Sequence, residues 1–144
     1  NLYRFAHYYE EAYGKYIWLK SGASLVIEHT EAMTVIDVNT GSVLKKKKQE
    51  DTLFYQINRE AAKEIARQLR LRNISGIIMI DFINMKDTAQ KEKLLSLLDS
   101  ECKKDRVHCN VIDMTALNLV EMTRSKVRKP LHEQIRFCMK NNRS

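Results

Sequence analysis

Ile77-Ile78-Met79-Ile80-Asp81-Phe82 carries five apolar residues in a run of six and shows no polar alternation. A run of this kind reads as a central strand buried on both faces of a sheet. Upstream of it, Asp51-Thr52 opens a long helical pattern. Leu53, Ile57, Ala61, Ile65 and Leu69 recur at helical spacing, with Arg59, Lys63, Glu64 and Arg67 between them, and Asn73 and Gly76 supply the stop. Further upstream, Ser24 to Glu28 and Met33 to Val38 are β-branched runs separated by His29-Thr30-Glu31, which predicts a hairpin. Tyr16 to Leu19 reads as a further strand, and residues 2 to 13 as a short helix ending at Gly14. Downstream, a second amphipathic helix begins at Asp87 and runs through Leu94, Leu95, Leu98 and Cys102 to Lys104. Asn110 to Asp113 and Leu119 to Thr123 read as short strands, and the segment after Pro130 as a polar, peripheral tail. The expected class is α+β: one mostly β sheet covered by two main helices.

The chain has 144 residues, the size of a single domain, with its core expected over 15–128 and a basic tail over 129–144. Hydrophobic residues make up 44% and charged residues 30%, and 4 Gly with 1 Pro leave no linker-like stretch. Lys and Arg number 25 against 18 acids, a net charge of +7, which favours an anionic partner, nucleic acid before anionic membrane. No segment approaches the roughly 18 uninterrupted apolar residues of a membrane span. The three cysteines, Cys102, Cys109 and Cys138, form no Cys-x-x-Cys pair, so reduced thiols in a cytoplasmic protein are expected rather than a disulfide framework or a complete zinc site. The start at Asn1, without an initiator Met, suggests a piece of a longer protein.

Two acids stand out. Asp37 lies near the end of one apolar strand and Asp81 near the end of another. A carboxylate in such a place is costly unless it is paired, opens onto an edge or holds a metal. Asn39, two residues beyond Asp37, shares its face of the strand. Two carboxylates with an amide oxygen form a hard-oxygen set suited to Mg²⁺ or Mn²⁺, and such an ion can polarise a phosphodiester. The plainer alternative is that each Asp caps a loop or pairs with an Arg. Walker, HExxH and Gly-rich phosphate motifs are absent.

Three stretches, SGASLVIEHTEAMTVIDVNTGS from Ser21, INREAAKEIARQLRLRNISGIIMIDFINM from Ile57 and NLVEMTRSKVR from Asn118, closely resemble the catalytic region of the ribonuclease E/G family. The resemblance runs from about Tyr16 to Arg128. It implies a deoxyribonuclease-I-like subdomain in which Asp37 and Asp81 hold a catalytic Mg²⁺ and Asn39 contacts the metal centre or the scissile phosphate. It further implies hydrolysis of single-stranded, AU-rich RNA to 5′-phosphate and 3′-hydroxyl ends in bacterial RNA processing and decay. The attacking group would be metal-activated water, without a covalent intermediate. Full-length members also carry an S1 domain, a 5′-monophosphate sensor and a ribonuclease-H-like subdomain, and 144 residues cannot hold them. The expectation is therefore a fragment of a larger, homo-oligomeric ribonuclease. The family's zinc link has no counterpart, because Asn141 stands where a cysteine partner of Cys138 would be. A non-catalytic module that binds RNA or a partner, and a different two-carboxylate phosphoesterase, are the rival readings.

Phosphate contacts are expected from Lys45, Lys46, Lys47 and Lys48, which follow the metal loop, and from Arg124, Lys126 and Arg128, with Lys129 beside them; a solubilising loop and tail is the alternative. Arg67, Arg70 and Arg72 read as partners of surface acids or of the sheet edge. His29 reads as a structural or solvent-facing histidine in a turn rather than a general base. The aromatics of the first segment, and Met33, Met79, Met85 and Met114, read as packing residues.

Overall fold

A computed structural model of the chain describes residues 2–41, 43, 50–127 and 131–141. The elements run α1 (Leu2–Tyr13), β1 (Tyr16–Trp18), β2 (Ser24–His29), β3 (Thr34–Asn39), α2 (Glu50–Leu71), β4 (Gly76–Asp81), α3 (Thr88–Cys102), β5 (Cys109–Met114), β6 (Leu119–Arg124) and α4 (Leu131–Asn141). The six strands form one sheet in the order β1-β2-β3-β4-β6-β5. β3 and β4 pair in parallel, and every other neighbouring pair is antiparallel. The mixed sheet with its helices is the α+β class expected.

The 22-residue α2 makes the crossover from β3 to β4 possible, since parallel neighbours cannot be joined by a tight turn. It ends where Asn73 takes a positive φ of 49°, a conformation asparagine tolerates, while the Ile74 amide donates back to the Leu69 carbonyl at 3.0 Å. Asp87 caps α3 by accepting the Ala89 amide at 2.8 Å. α2 and α3 pack together on one face of the sheet. Ile57, Ala61, Ile65 and Leu69 from α2, and Leu94 and Leu98 from α3, join Leu25, Ile36, Ile78, Ile80, Val120 and Met122 in a single buried cluster. Each fully buried Leu or Ile contributes about 1.5–3 kcal/mol.

The expectation that β4 is buried on both faces is corrected. Ile78 and Ile80 are buried, but Ile77 is 48% exposed and Met79 half-buried. Both long helices lie on the same side of the sheet, so β4 is central yet no described helix covers its other face. The tail also differs from expectation: residues 131–141 form a helix, α4, which contacts α1. The Arg136 Nε donates to the Tyr13 hydroxyl at 2.9 Å, and the Leu131 amide donates to the Arg72 carbonyl at 2.8 Å. The rings of Tyr3, Phe5 and Tyr8 on α1 are mostly exposed rather than packed, because α1 lies outside the buried cluster. Of the four methionines read as core, Met85 is buried, and Met33, Met79 and Met114 are half-buried. No described helix is long and apolar enough to cross a membrane.

Candidate metal centre

Residues opposite one another in neighbouring strands project from the same face, and alternation divides each strand between the two. On β3, Thr34, Ile36 and Val38 are buried beneath the helices, so Val35, Asp37 and Asn39 project from the open face. On β4, Ile78 and Ile80 turn inward, so Asp81 faces outward. The parallel register sets Asp37 directly beside Asp81. Both residues stand at the C-terminal ends of their strands, at one rim of the sheet. Two residues distant in the chain, and from different strands, are thereby brought side by side.

Burial, and then the charge of Asp37, push the Asp81 carboxyl above its ordinary value of 3.8. Among the described residues neither carboxylate forms a hydrogen bond or an ion pair. The alternative in which each Asp pairs with an Arg or caps a loop is therefore not what the described residues form. Two adjacent like charges without a counter-charge among the described residues make a ready place for a cation. With two carboxylates, and Asn39 on the same face, the donor set fits a hard divalent ion that keeps water and substrate oxygens. No group of three or more His, Cys, Asp or Glu side chains that could hold a metal occurs among the described residues.

A groove of about 460 Å³ opens over the acids, bounded by Val26, Glu28, Val35, Asp37, Asp81 and Leu119. Val26 and Leu119 were not singled out from the sequence. Strand alternation together with the register Val26↔Asp37 and Asp81↔Leu119 is the signal that finds them. A larger hollow of about 780 Å³ lies between β1 and α2. Tyr16 and Trp18 line it from β1 and Glu60, Lys63, Glu64 and Arg67 from α2, and neither Asp37 nor Asp81 borders it.

The second basic cluster is not brought to the acids. β6 runs antiparallel to β4, so Leu119 sits beside Asp81 while Arg124 sits beside Gly76, at the opposite end. Five residues of strand separate those ends by about 17 Å. Arg124 is buried, and the phosphate role expected for it is corrected. Its Nε donates to the Asp105 Oδ2 at 2.9 Å, its Nη2 to the Asp105 Oδ1 at 3.3 Å, and its Nη1 to the Asn73 Oδ1 at 2.8 Å and the Ile74 carbonyl at 3.1 Å. Lys126 is exposed, at the same far end. Lys45, Lys46, Lys47, Lys48, Arg128 and Lys129 lie outside the described residues.

Arg67 pairs with Glu64 at 2.9 Å, as a surface partner should. Arg72 is buried, and its Nε donates to the Gln68 Oε1 at 2.8 Å. His29 is the last residue of β2 rather than a turn residue. Its Nδ1 lies 3.0 Å from the Thr34 hydroxyl and its ring stacks on His132 with centroids 3.8 Å apart, a structural role remote from the acids. Cys102 is buried, Cys109 half-buried and Cys138 exposed, and all three are free.

Residues 1–127 match the Ribonuclease E/G family. The chain belongs to that family. Its relatives include Ribonuclease G of Escherichia coli (strain K12), 45% identical over 122 residues that make up 85% of this chain and 25% of that protein. Ribonuclease G of Haemophilus influenzae is 47% identical over 122 residues, again 85% of this chain and 25% of the relative. Ribonuclease E of a Nostoc species is 42% identical over 115 residues, 80% of this chain and 17% of the relative. The family member in hand thus spans about a quarter, or less, of the length of the curated relatives it matches.

Proposed function

We propose that this chain is the metal-binding catalytic portion of an endoribonuclease that hydrolyses single-stranded RNA to 5′-phosphate and 3′-hydroxyl products, acting in bacterial RNA processing and decay. The observation that carries this reading is the pair Asp37 and Asp81, side by side at the rim of an open sheet face and without a counter-charge among the described residues. Membership of the Ribonuclease E/G family supports the same chemistry.

Asp37 and Asp81 would hold Mg²⁺, or Mn²⁺ in its place. Such an ion, when bound, supplies a Lewis acid beside the phosphodiester and a water of lowered pKa. The carboxylates also fix the negative end of the site, so a phosphate approaches only once their charge is balanced. Asn39, on the same face, offers a carboxamide N–H to a phosphate oxygen and a carbonyl oxygen to water. Val26, Val35 and Leu119 give the groove an apolar floor that limits water around the reacting group. The open face leaves room for an extended strand. Further phosphate contacts fall to the lysines of 45–48, and cleavage by the piece alone is a separate question from cleavage by a longer protein that contains it.

The test pairs a binding measurement with an activity measurement. Asp37→Asn and Asp81→Asn should each weaken Mn²⁺ binding, followed by electron paramagnetic resonance, and lower cleavage of a 5′-monophosphorylated single-stranded RNA by at least about 100-fold. Unchanged Mn²⁺ affinity in both variants would overturn the metal assignment. RNA binding without cleavage, by the chain and by any longer form, would favour a non-catalytic module. Hydrolysis of mononucleotide esters without RNA cleavage would favour a different phosphoesterase.

A further inference from the structure

We propose that Trp18 and Tyr16 form a base-stacking step at the edge of the sheet, two strands from Asp37, taking nucleobases that flank the phosphate under attack; this rests on the RNA reading above. Ile17 packs against the buried cluster, so by alternation its neighbours Tyr16 and Trp18 project towards the opposite side of β1, the face that carries the acids. At this outer edge of the sheet both also border the hollow beside α2. Tyr16 is 62% exposed and Trp18 73%. A tryptophan so exposed adds little to the core, whereas flat rings on a wet sheet are what unpaired bases stack upon.

The register ties these rings to the site. Tyr16 pairs with Val26, Val26 with Asp37 and Asp37 with Asp81, so all four lie in one row across the sheet. Trp18 pairs with Ser24 and Ser24 with Asn39, which forms the next row. With neighbouring strands about 4.8 Å apart, Tyr16 stands about 10 Å from Asp37, and Trp18 the same distance from Asn39. Val26 fills the interval with a small apolar side chain and lines the groove over the acids. A strand lying across these rows can set a phosphate over Asp37 and Asp81 while an adjoining base reaches β1. The Lys15 ammonium, 5.8 Å above the Tyr16 ring and 3.1 Å from the Glu28 carboxylate, adds a cation at the same edge.

Stacking reads no hydrogen-bonding edge, so the step orients RNA and chooses which phosphate sits over the acids without dictating base identity. Trp18 and Tyr16 are positioning residues for substrate, and their loss should act on affinity and cleavage position.

Trp18 is the single tryptophan of the chain, so its fluorescence reports this place alone. The chain is titrated, without divalent ions to prevent cutting, with a single-stranded oligoribonucleotide and with an abasic strand of equal length and charge. The base-bearing strand should quench the emission to saturation, and the abasic strand should not. Trp18→Ala should weaken RNA binding about tenfold, with Trp18→Phe staying within about threefold of the parent. Equal responses to both strands, or Trp18→Ala binding as tightly as the parent, would overturn the stacking step. Cleavage assayed in parallel with Mg²⁺ separates the two readings. Quenching without cleavage, by the chain and by any longer form, leaves the step standing and counts against the hydrolase, whereas cleavage without quenching sinks the step alone.

Discussion

Replacing Arg124 with Met should destabilise the fold without touching RNA binding by the molecules that remain folded. The guanidinium is 3% exposed and the Asp105 carboxylate 5%, with donor and acceptor 2.9 Å apart. Removing the arginine strands a buried carboxylate and also leaves the Asn73 Oδ1 and the Ile74 carbonyl without this donor. Breaking one side of a buried pair costs about 3–5 kcal/mol. For a domain of this length that is a fall in Tm of about 10–20 °C. Burial alone would raise the Asp105 carboxyl. The hydrogen bonds from Arg124 and the Val107 amide, with the charges of Arg124 and Arg70, outweigh it and hold the carboxyl below its ordinary 3.8. A depressed carboxylate contributes stability that is present above its unfolded pKa and lost as pH falls through the folded one. The gap between parent and variant should therefore be full at pH 7 and shrink as pH falls, first through the variant's Asp105 carboxyl, which burial without Arg124 raises, and then through the parent's depressed one. Urea unfolding followed by circular dichroism at a series of pH values measures it. Arg124→Met with Asp105→Leu should recover most of the loss, because an apolar pair replaces a buried ionic one. A variant that keeps its stability, yet whose log affinity for RNA falls less steeply with log salt by about one unit, would refute the argument and restore Arg124 as a phosphate ligand.

Other substitutions probe the surroundings of the site. Burial, followed by the charges of His132, Arg72 and Arg136, pushes the His29 imidazole down to about 4. His132 is lowered as well, first by burial, with Glu133 opposing. Because the folded values lie below the unfolded one, the stacked pair loses stability as pH falls from about 6.5 towards 4. Amide exchange over 131–141, corrected for intrinsic rate, should accelerate across that window, and His29→Phe should flatten the dependence. The Asn58 side chain donates to the Ile83 carbonyl at 2.8 Å and accepts the Ile83 amide at 2.9 Å, fastening the segment after β4 to α2. Asn58→Ala should cost about 1–3 kcal/mol in urea unfolding. Gly41 has a φ of +59°, and a Cβ there would meet the Gly22 carbonyl oxygen at 2.7 Å. Gly41→Ala should lower Tm and, by shifting the turn that follows Asn39, weaken RNA cleavage more than Mn²⁺ binding.

The strands and the two long helices were legible because their signals are local. Leu53 to Leu69 repeats at helical spacing, and Asp87 carries its own cap. Asp37 and Asp81 were legible because an acid at the end of an apolar strand conflicts with its neighbours. The second face of β4 was not, since Ile77 and Met79 remain apolar whether or not anything covers them. Where α2 and α3 lie is decided by the crossover and not by β4 itself. Arg124 failed for the same reason in reverse. It sits in a basic stretch with Lys126 and Arg128, and its burial depends on Asp105 and Asn73, which the fold alone brings to it. The tail did carry a signal: Leu131, Ile135 and Cys138 fall at helical spacing, but the surrounding basic and polar residues obscured it. The rows that join Tyr16 to Asp37 and Trp18 to Asn39 needed the register, which no run of residues states by itself.

The parallel pairing of β3 with β4 bears on when the site comes into being. Asp37 and Asp81 are 44 positions apart (81 − 37), with the whole of α2 between them, so they meet only after that helix has docked and closed the crossover. Contacts of such long sequence separation form only after the loop between them has closed. A nascent chain that has not closed the crossover therefore presents two scattered acids rather than the adjacent pair proposed to take a cation. A cation bound to both carboxylates would in turn hold the crossover shut by mass action. On the proposed reading, a competent cation site and a completed fold would then be a single property of the chain.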